Sequence, residues 1–152
     1  MSPHIVAREA GIELQLEKVD LKAKTISSGG DYLTINPKGY VPALQLDDGE
    51  ILTEGPAIVQ YLADRKPASG LAPPAGTMAR YRLQEMLEHI NSEINKSYSP
   101  LFHPATFATV REEKVAQLHQ RYGLLERQLA RHEFLIGDRF SAADAYLFTV
   151  TR

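Results

Sequence analysis

Apolar residues in the first part of the chain follow helix spacing and then strand spacing. Ser2 to Ala10 is predicted to be a short helix, with Ser2 as its cap, Pro3 in its first turn and Gly11 as its stop. Alternating apolar residues predict a strand from Glu13 to Leu21. The alternation slips at Glu17-Lys18, which indicates either a bulge or an exposed phase.

The stretch from Asn36 to Tyr61 reads as a loop, a hairpin and the start of a helix. The helix is predicted to run from Ala57 to Asp64, with Ile58, Val59 and Leu62 on one apolar face. Proline extends the residue before it, Asp-Gly favours a hairpin turn, and proline suits the first turn of a helix. These features occur in the order Val41-Pro42, Asp48-Gly49, Glu54-Gly55-Pro56. A helix N-terminus beside an edge that ends in X-Pro is a place where a small anionic or peptide-like ligand can bind. Turn chemistry and an ordinary helix start also explain the same residues without a ligand.

A segment rich in proline and glycine divides the chain into two kinds of pattern. Residues 66–76 contain three prolines and two glycines, which is typical of a linker. Strand and helix patterns alternate before it, whereas only helical patterns follow it. We predict one helix from Thr77 to about Tyr98, ended by Ser99-Pro100, and a second from about Thr106 to Arg131-His132.

The second of these helices carries an apolar seam, and a third helix closes the chain. The seam steps by three and four residues through Val115, Leu118, Tyr122, Leu125 and Leu129. Ser141 and Asp144 have the spacing of a capping box, which is a structural role and needs no catalysis. The helix that follows is apolar on nearly all sides and is expected to be buried. It stops at Arg152 after a few turns, which we interpret as a sign that the sequence is a fragment.

Composition narrows the classes of function. The formal net charge of −2 leaves no basic surplus for phosphates, which argues against electrostatically driven nucleic-acid binding. Without cysteine, the chain contains no disulfide, thiolate nucleophile or cysteine metal site. The five histidines show no metal-ligand spacing, so no metal is expected. No apolar run reaches the roughly 20 residues that span a bilayer, so we expect no membrane insertion and a cytoplasmic location.

Three blocks of sequence, in this order and astride the linker, carry a resemblance to a known family. They are Asn36-Pro37-Lys38-Gly39-Tyr40-Val41-Pro42-Ala43-Leu44, Leu52-Thr53-Glu54-Gly55-Pro56-Ala57-Ile58-Val59-Gln60-Tyr61-Leu62 and Gly137-Asp138-Arg139-Phe140-Ser141-Ala142-Ala143-Asp144-Ala145-Tyr146. With them the chain resembles the glutathione transferases, most closely the bacterial beta class. The likeness runs over essentially the whole chain.

The resemblance implies two domains. Residues 1–66 would form an α/β, thioredoxin-like domain that binds glutathione, and residues 77–152 would form an all-α helical domain after the linker at 67–76. The family's first strand and the cysteine of this class match positions upstream of Ser2. We therefore expect that strand to be missing from the sheet, the thiol-activating group to come from that upstream segment, and the helical domain to be incomplete.

The resemblance also implies a set of binding residues. Val41 would present its backbone to the cysteinyl part of glutathione, before Pro42 in a cis peptide. Glu54 and Gly55 match the pair that holds the γ-glutamyl end, and Lys24 matches a basic residue that reaches the glycyl carboxylate. In the helical domain the matching cleft residues are Glu88, Ser92 and Asn95. By residue type alone, Lys24 is most simply a solvated lysine, and the last three residues are also explained as the solvent-exposed face of an amphipathic helix.

The function implied is that of an enzyme of detoxification. A glutathione transferase uses glutathione as co-substrate, and its thiolate attacks an electrophilic hydrophobic compound. The family further implies a homodimer. Asn95 stands where close relatives often carry histidine, and an amide cannot act as an acid or base at neutral pH. The alternative is therefore a non-catalytic glutathione-binding or protein-interaction module with the transferase fold.

Overall fold

The computed structural model describes the chain from Met1 to Arg152 and begins with helix α1, Ser2–Glu9. Pro3 lies in its first turn, as predicted, and Val6 and Ala7 are fully buried. The cap prediction is wrong, because Met1 occupies the N-cap position. Ser2 is instead the first helical residue and only 2% exposed.

Two short antiparallel hairpins follow. Strand β1, Val19–Asp20, pairs with β2, Thr25–Ile26, and strand β3, Ala43–Gln45, pairs with β4, Ile51–Thr53. The two hairpins belong to separate sheets and share no hydrogen-bonded edge.

The strand predicted from Glu13 to Leu21 is therefore wrong over most of its length. Only Val19 and Asp20 belong to a strand, and Leu16 is 63% exposed. Alternating apolar residues make a strand only where a neighbouring backbone completes the hydrogen-bonded ladder. Residues 13–17 make no backbone hydrogen bond to a neighbouring strand, and only the Lys18 carbonyl extends the ladder, by accepting from the Ser27 N–H.

Helix α2, Gly55–Arg65, begins directly after β4 and joins the two halves of the molecule. Its predicted apolar face is confirmed, since Ile58, Val59 and Leu62 are buried. These side chains belong to a core cluster of 18 buried residues that also includes residues of α1 and of the helices after the linker. The segment between the halves contains a 3-10 helix, Pro67–Ser69.

The long helix after the linker changes its winding twice. Thr77 caps α3, Met78–His89, by accepting from the Arg80 N–H. A π-helical turn, Ile90–Asn95, follows and leads without a break into α4, Lys96–Phe102. The predicted end at Ser99-Pro100 is wrong. One proline removes a single intrahelical hydrogen bond, and Tyr98 and Leu101 on either side of it pack against the core.

Helix α5, Ala108–Leu129, and helix α6, Ala142–Thr151, complete the fold. The α5 seam is buried only at its middle, at Leu118 and Leu125, whereas Val115 and Leu129 are 43% and 40% exposed. Helix α6 is the buried centre that its composition predicted over its first half, where it contacts α1, α2 and α3. None of the helices has both the length and the apolar character that crossing a membrane requires.

Candidate functional site

The loop before β3 is fixed by two buried polar side chains. The Tyr32 hydroxyl and the Asn36 amide both donate to the carbonyl oxygen of Tyr40, over 2.7 and 2.8 Å. Tyr32 and Asn36 are each only 3% exposed. These bonds hold the chain immediately before the Val41-Pro42 peptide, which is cis, as the resemblance implied.

Val41 presents an unpaired piece of backbone at the end of this loop. Neither its N–H nor its C=O has a hydrogen-bond partner within the chain, and Val41 is 48% exposed. It lies next to β3, which pairs with β4 on one side only. Unpaired N–H and C=O groups at a sheet edge can bind an extended, peptide-like ligand as an added strand.

Helix α2 starts at the other end of the same hairpin. Glu54, its N-cap, has φ 72° and ψ 119° and makes no side-chain cap. The N–H groups of Gly55 and Ala57 therefore lack a capping partner, and Pro56 has no backbone N–H group. Free first-turn N–H groups together with the helix dipole favour an anionic ligand. The carboxylate of Glu54 beside them favours a cation, so this corner suits a zwitterion.

Two lysines flank the site. The Lys24 ammonium donates to the Gly39 carbonyl over 2.8 Å, within the loop that precedes Val41. Lys38 was not identified from the sequence. Its ammonium lies 2.8 Å from Glu54 Oε1 and 3.0 Å from Thr53 Oγ1. Both members of the Lys38–Glu54 pair are more than half exposed, so an incoming ammonium can displace the lysine from the carboxylate.

The three polar residues expected from the helical half are placed differently from one another. Asn95 lies in the π-helical turn, and its amide donates to the Tyr146 hydroxyl over 3.5 Å. Glu88 is exposed near the end of α3, and its charge acts on Tyr146. The Ser92 hydroxyl donates to the Glu88 carbonyl of its own helix over 2.9 Å. Of the three, Asn95 and Glu88 are thus brought towards the start of α2 through Tyr146.

Tyr146 is the residue of this region that reasoning from the sequence missed. It is 6% exposed and packs its ring on Gly55. Burial raises the pKa of its phenol, the hydrogen bond from Asn95 lowers it, and the charges of Glu54 and Glu88 raise it further. The signal available was the capping box at Ser141 and Asp144, which fixes where the buried helix starts and hence which residues its first turns bring to the junction.

Family models match both halves of the chain. The model described as the N-terminal domain of glutathione S-transferase matches residues 2–65. The model described as the C-terminal domain of glutathione S-transferase matches residues 108–152. Together the two matches cover most of the chain and include α1, both hairpins, α2, α5 and α6.

Individual relatives agree with the family models. The chain is 44% identical to glutathione S-transferase GstA of Escherichia coli O157:H7, over all of this chain and 76% of that protein. It is 53% identical to the bacterial GST BphK, solved as a ternary complex, with a TM-score of 0.96 over 99% of this chain and 75% of the other.

A sphingomonad glutathione S-transferase, solved in complex with glutathione, is 44% identical, with a TM-score of 0.94 over 99% of this chain and 75% of the other. The shared structure confirms a thioredoxin-like N-terminal domain followed by a helical C-terminal domain. By sequence, by fold and over nearly its whole length, this chain belongs to the glutathione transferase family.

Proposed function

We propose that this protein is an enzyme that conjugates the thiolate of glutathione to electrophilic hydrophobic compounds. One observation, the presence of two binding features on a single hairpin, carries the proposal, and the alignment with a relative supports it. The chain aligns along its whole length with a named glutathione S-transferase, and it keeps an unpaired backbone at Val41 on the same hairpin as the Glu54-Gly55 helix start. That hairpin offers hydrogen bonds to a peptide backbone at one end and charge complementarity to an amino acid at the other.

Glutathione fits the site as follows. Its cysteinyl unit bonds to the N–H and C=O of Val41, before Pro42, as a short added strand. Its γ-glutamyl ammonium takes the place of the Lys38 ammonium at Glu54, and the neighbouring α-carboxylate accepts from the first N–H groups of α2 at Gly55. Its glycyl carboxylate reaches Lys24, whose ammonium now bonds to Gly39.

The reaction we propose is a displacement or an addition by sulfur. The glutathione thiol gives its proton to solvent, and the thiolate forms a carbon–sulfur bond. In a displacement the leaving group departs with the bonding electrons. In an addition the electron pair of the π bond moves onto the electrophile, which then takes a proton from solvent. The protein contributes by favouring the thiolate over the thiol and by holding the two reactants together. The backbone of Val41 and the start of α2 position the glutathione, while the helical half faces the electrophile.

The electrophile side of the site combines polar and apolar groups. Glu88, Ser92 and Asn95 supply the polar groups of the α3 and π-helical segment. Phe102, further along the same continuous helix, is 82% exposed, and its ring centroid lies 6.3 Å from that of Tyr98. Tyr98 packs against the core and supports the exposed ring of Phe102, which is a surface on which a flat apolar compound can pack. We therefore propose a hydrophobic, preferably aromatic, electrophile.

We also propose the following division of labour along the chain. Residues 1–66 form the glutathione-binding domain, residues 67–76 the linker, and residues 77–152 the helical domain that completes the cleft. Because the reaction consumes reduced glutathione, it belongs in a compartment where thiols stay reduced, which is the cytoplasm. There its role is the detoxification of reactive compounds.

We further propose that the protein is a homodimer. Met78 and Tyr81 lie one helical turn apart on α3, and they are 69% and 56% exposed. Two large apolar side chains on one face of a surface helix are typical of a protein–protein contact. A symmetric contact between two copies of α3 would remove both from water.

Binding to glutathione and turnover should be measured on one preparation. We expect retention on immobilised glutathione, elution by free glutathione, and conjugation of chlorodinitrobenzene with release of chloride. Glu54→Gln should weaken glutathione binding about tenfold, since it removes the carboxylate that holds the ammonium. Glu50→Gln, an exposed residue in the turn of the same hairpin, is the matched control and should leave binding unchanged.

The outcomes separate the two functions. Binding together with turnover supports the transferase. Binding without turnover would favour the non-catalytic module, and a folded protein that does not bind glutathione would overturn both assignments.

A further inference from the structure

Tyr146 lies where the start of α2 meets the helical half. It belongs to α6, yet its ring packs against Gly55, the first residue of α2. A Cβ atom placed on Gly55 would lie 2.8 Å from Cε2 of Tyr146, closer than carbon atoms tolerate. Gly55 does not adopt a left-handed backbone, so its lack of a side chain is required by the tyrosine ring and not by its φ angle.

The hydroxyl at the far end of the ring reaches a different element. It donates to Asn91 Oδ1 over 2.8 Å and accepts from Asn95 Nδ2 over 3.5 Å. Both asparagines lie in the π-helical turn Ile90–Asn95. Such turns interrupt the regular helical ladder, and here both of the turn's asparagine side chains converge on one phenol.

We infer that Tyr146 is a positioning residue that couples the first turn of α2 to the π-helical turn. Its ring sets the backbone position of Gly55, and its hydroxyl sets the positions of Asn91 and Asn95. The two sides of the proposed cleft are thereby held in register by one side chain. This inference rests on the proposed function in naming what the two turns bind, whereas the coupling itself is a property of the protein without ligand.

The ring contact is tested with Gly55→Ala in two backgrounds. In the wild-type background the added methyl group meets the tyrosine ring, and we expect the Kd for glutathione to rise about tenfold. With Tyr146→Leu, which replaces the aromatic ring with a smaller isobutyl group, the same substitution should raise the Kd about twofold or less. Non-additivity of this kind identifies a direct contact.

Gly123→Ala is the matched control. Gly123 also lies inside a helix, and its nearest neighbour to an added Cβ is Arg127 Nη1, at 3.6 Å. Its effect should be the same in both backgrounds and should leave the glutathione Kd unchanged.

The hydroxyl contact is tested with Tyr146→Phe, which keeps the ring. We expect amide hydrogen exchange in residues 90–95 to accelerate about tenfold in the ligand-free protein, because the turn loses the hydroxyl that its two asparagines share. The KM for the electrophile should rise several-fold, while the KM for glutathione changes less than about twofold because the ring still supports Gly55.

Hydrogen exchange decides the inference independently of activity. Unchanged exchange at residues 90–95 in Tyr146→Phe, or an equal effect of Gly55→Ala in both backgrounds, would overturn the coupling. If Tyr146→Leu does not fold, amide hydrogen exchange is measured on the single variant Gly55→Ala instead. Exchange in that variant should accelerate at residues 90–95 as well as at the start of α2. A wild-type protein that fails to bind glutathione defeats the proposed function and leaves these exchange results as the test of the coupling.

Discussion

The guanidinium of Arg80 forms a two-point ion pair with the carboxylate of Asp64. Nη1 donates to Oδ2 over 3.0 Å, Nη2 contacts Oδ1, and Nε donates to the carbonyl of Pro73 over 2.7 Å. The Arg80 side chain is 6% exposed, whereas that of Asp64 is half exposed. One arginine near the start of α3 thus binds both the last turns of α2 and the loop between the two halves.

Asp64→Asn should destabilise the fold because it leaves a buried guanidinium without its counter-charge. We expect the free energy of unfolding to fall by about 2 kcal/mol, less than for a fully buried pair since Asp64 is half exposed. Chemical denaturation measures the change. Glu85→Gln breaks the exposed Arg82–Glu85 pair and is the control, which should leave the denaturation midpoint unchanged because solvent screens this pair. Equal effects of the two variants would contradict this assignment.

Glu54 should lower the stability of the fold although its carboxylate contributes to the proposed binding of glutathione. Its φ of 72° and ψ of 119° suit glycine, and a residue with a side chain held there costs about 1–3 kcal/mol. Glu54→Gly should therefore be more stable than Glu54→Ala by about 1 kcal/mol, although both lose the same contact with Lys38. Both variants should lose glutathione affinity to the same extent. Thermal unfolding and titration calorimetry provide the two measurements, and an alanine variant as stable as the glycine one would contradict the strain.

The carboxylate of Asp144 should contribute strongly to stability. One oxygen accepts from both the N–H and the hydroxyl of Ser141, over 2.9 and 2.6 Å, and the other accepts from the Leu135 N–H over 2.8 Å. Asp144→Ala should lower the free energy of unfolding by about 2–3 kcal/mol, and Ser141→Ala by about 1 kcal/mol. Guanidinium denaturation checks both values. Similar losses for the two variants would show that the bond to Leu135 contributes little.

The start of α6 could be predicted from the sequence, whereas the contacts of Tyr146 could not. The difference lies in how far apart in the sequence the interacting residues are. Ser141 and Asp144 interact across one turn, so their spacing in the sequence is sufficient to identify the contact. Tyr146 meets Gly55 and Asn91 only after three helices have packed, and no local spacing encodes that contact. The π-helical turn was missed for a related reason, since its residues also fit the regular helix that was predicted through them.

The exposed ring of Phe102 should affect the KM for the electrophile and not the KM for glutathione. Phe102→Ala removes an apolar surface on the helical side, and we expect the KM for an aromatic electrophile to rise about tenfold, equivalent to about 1.4 kcal/mol. The KM for glutathione and the melting temperature should stay unchanged. Steady-state kinetics with each substrate varied in turn separates the two effects. Leu16→Ala, at an apolar residue of the other half that is also largely exposed, is the control.

Introducing a charge at Tyr81 should convert the proposed dimer into a monomer. Tyr81→Glu places a charge beside the exposed Met78 on α3, and burying two like charges in a symmetric contact is unfavourable. We expect analytical ultracentrifugation to find a dimer for the wild type and a monomer for the variant. Leu16→Glu, which adds the same charge at an exposed position outside α3, should remain dimeric. A wild-type monomer at micromolar concentration would exclude the dimer.

Local signals predicted the β3–β4 hairpin and the buried face of α2 because each depends on residues near in sequence. Asp48-Gly49 specifies its own turn, and Ile58, Val59 and Leu62 lie on one face of a helix whatever packs against it. The strand predicted from Glu13 to Leu21 depended instead on a partner backbone, which residues 13–17 lack. Lys38 was missed because its interaction with Glu54 joins residues on either side of that hairpin.

The unpaired backbone of Val41 has a consequence for how this site tolerates mutation. A substitution changes the side chain of a residue, but nearly every amino acid supplies the same main-chain N–H and C=O. A ligand held by those atoms keeps its two hydrogen bonds through most replacements at position 41, and only proline deletes the donor outright. The loop can therefore accumulate sequence change at this point while the proposed binding of glutathione persists.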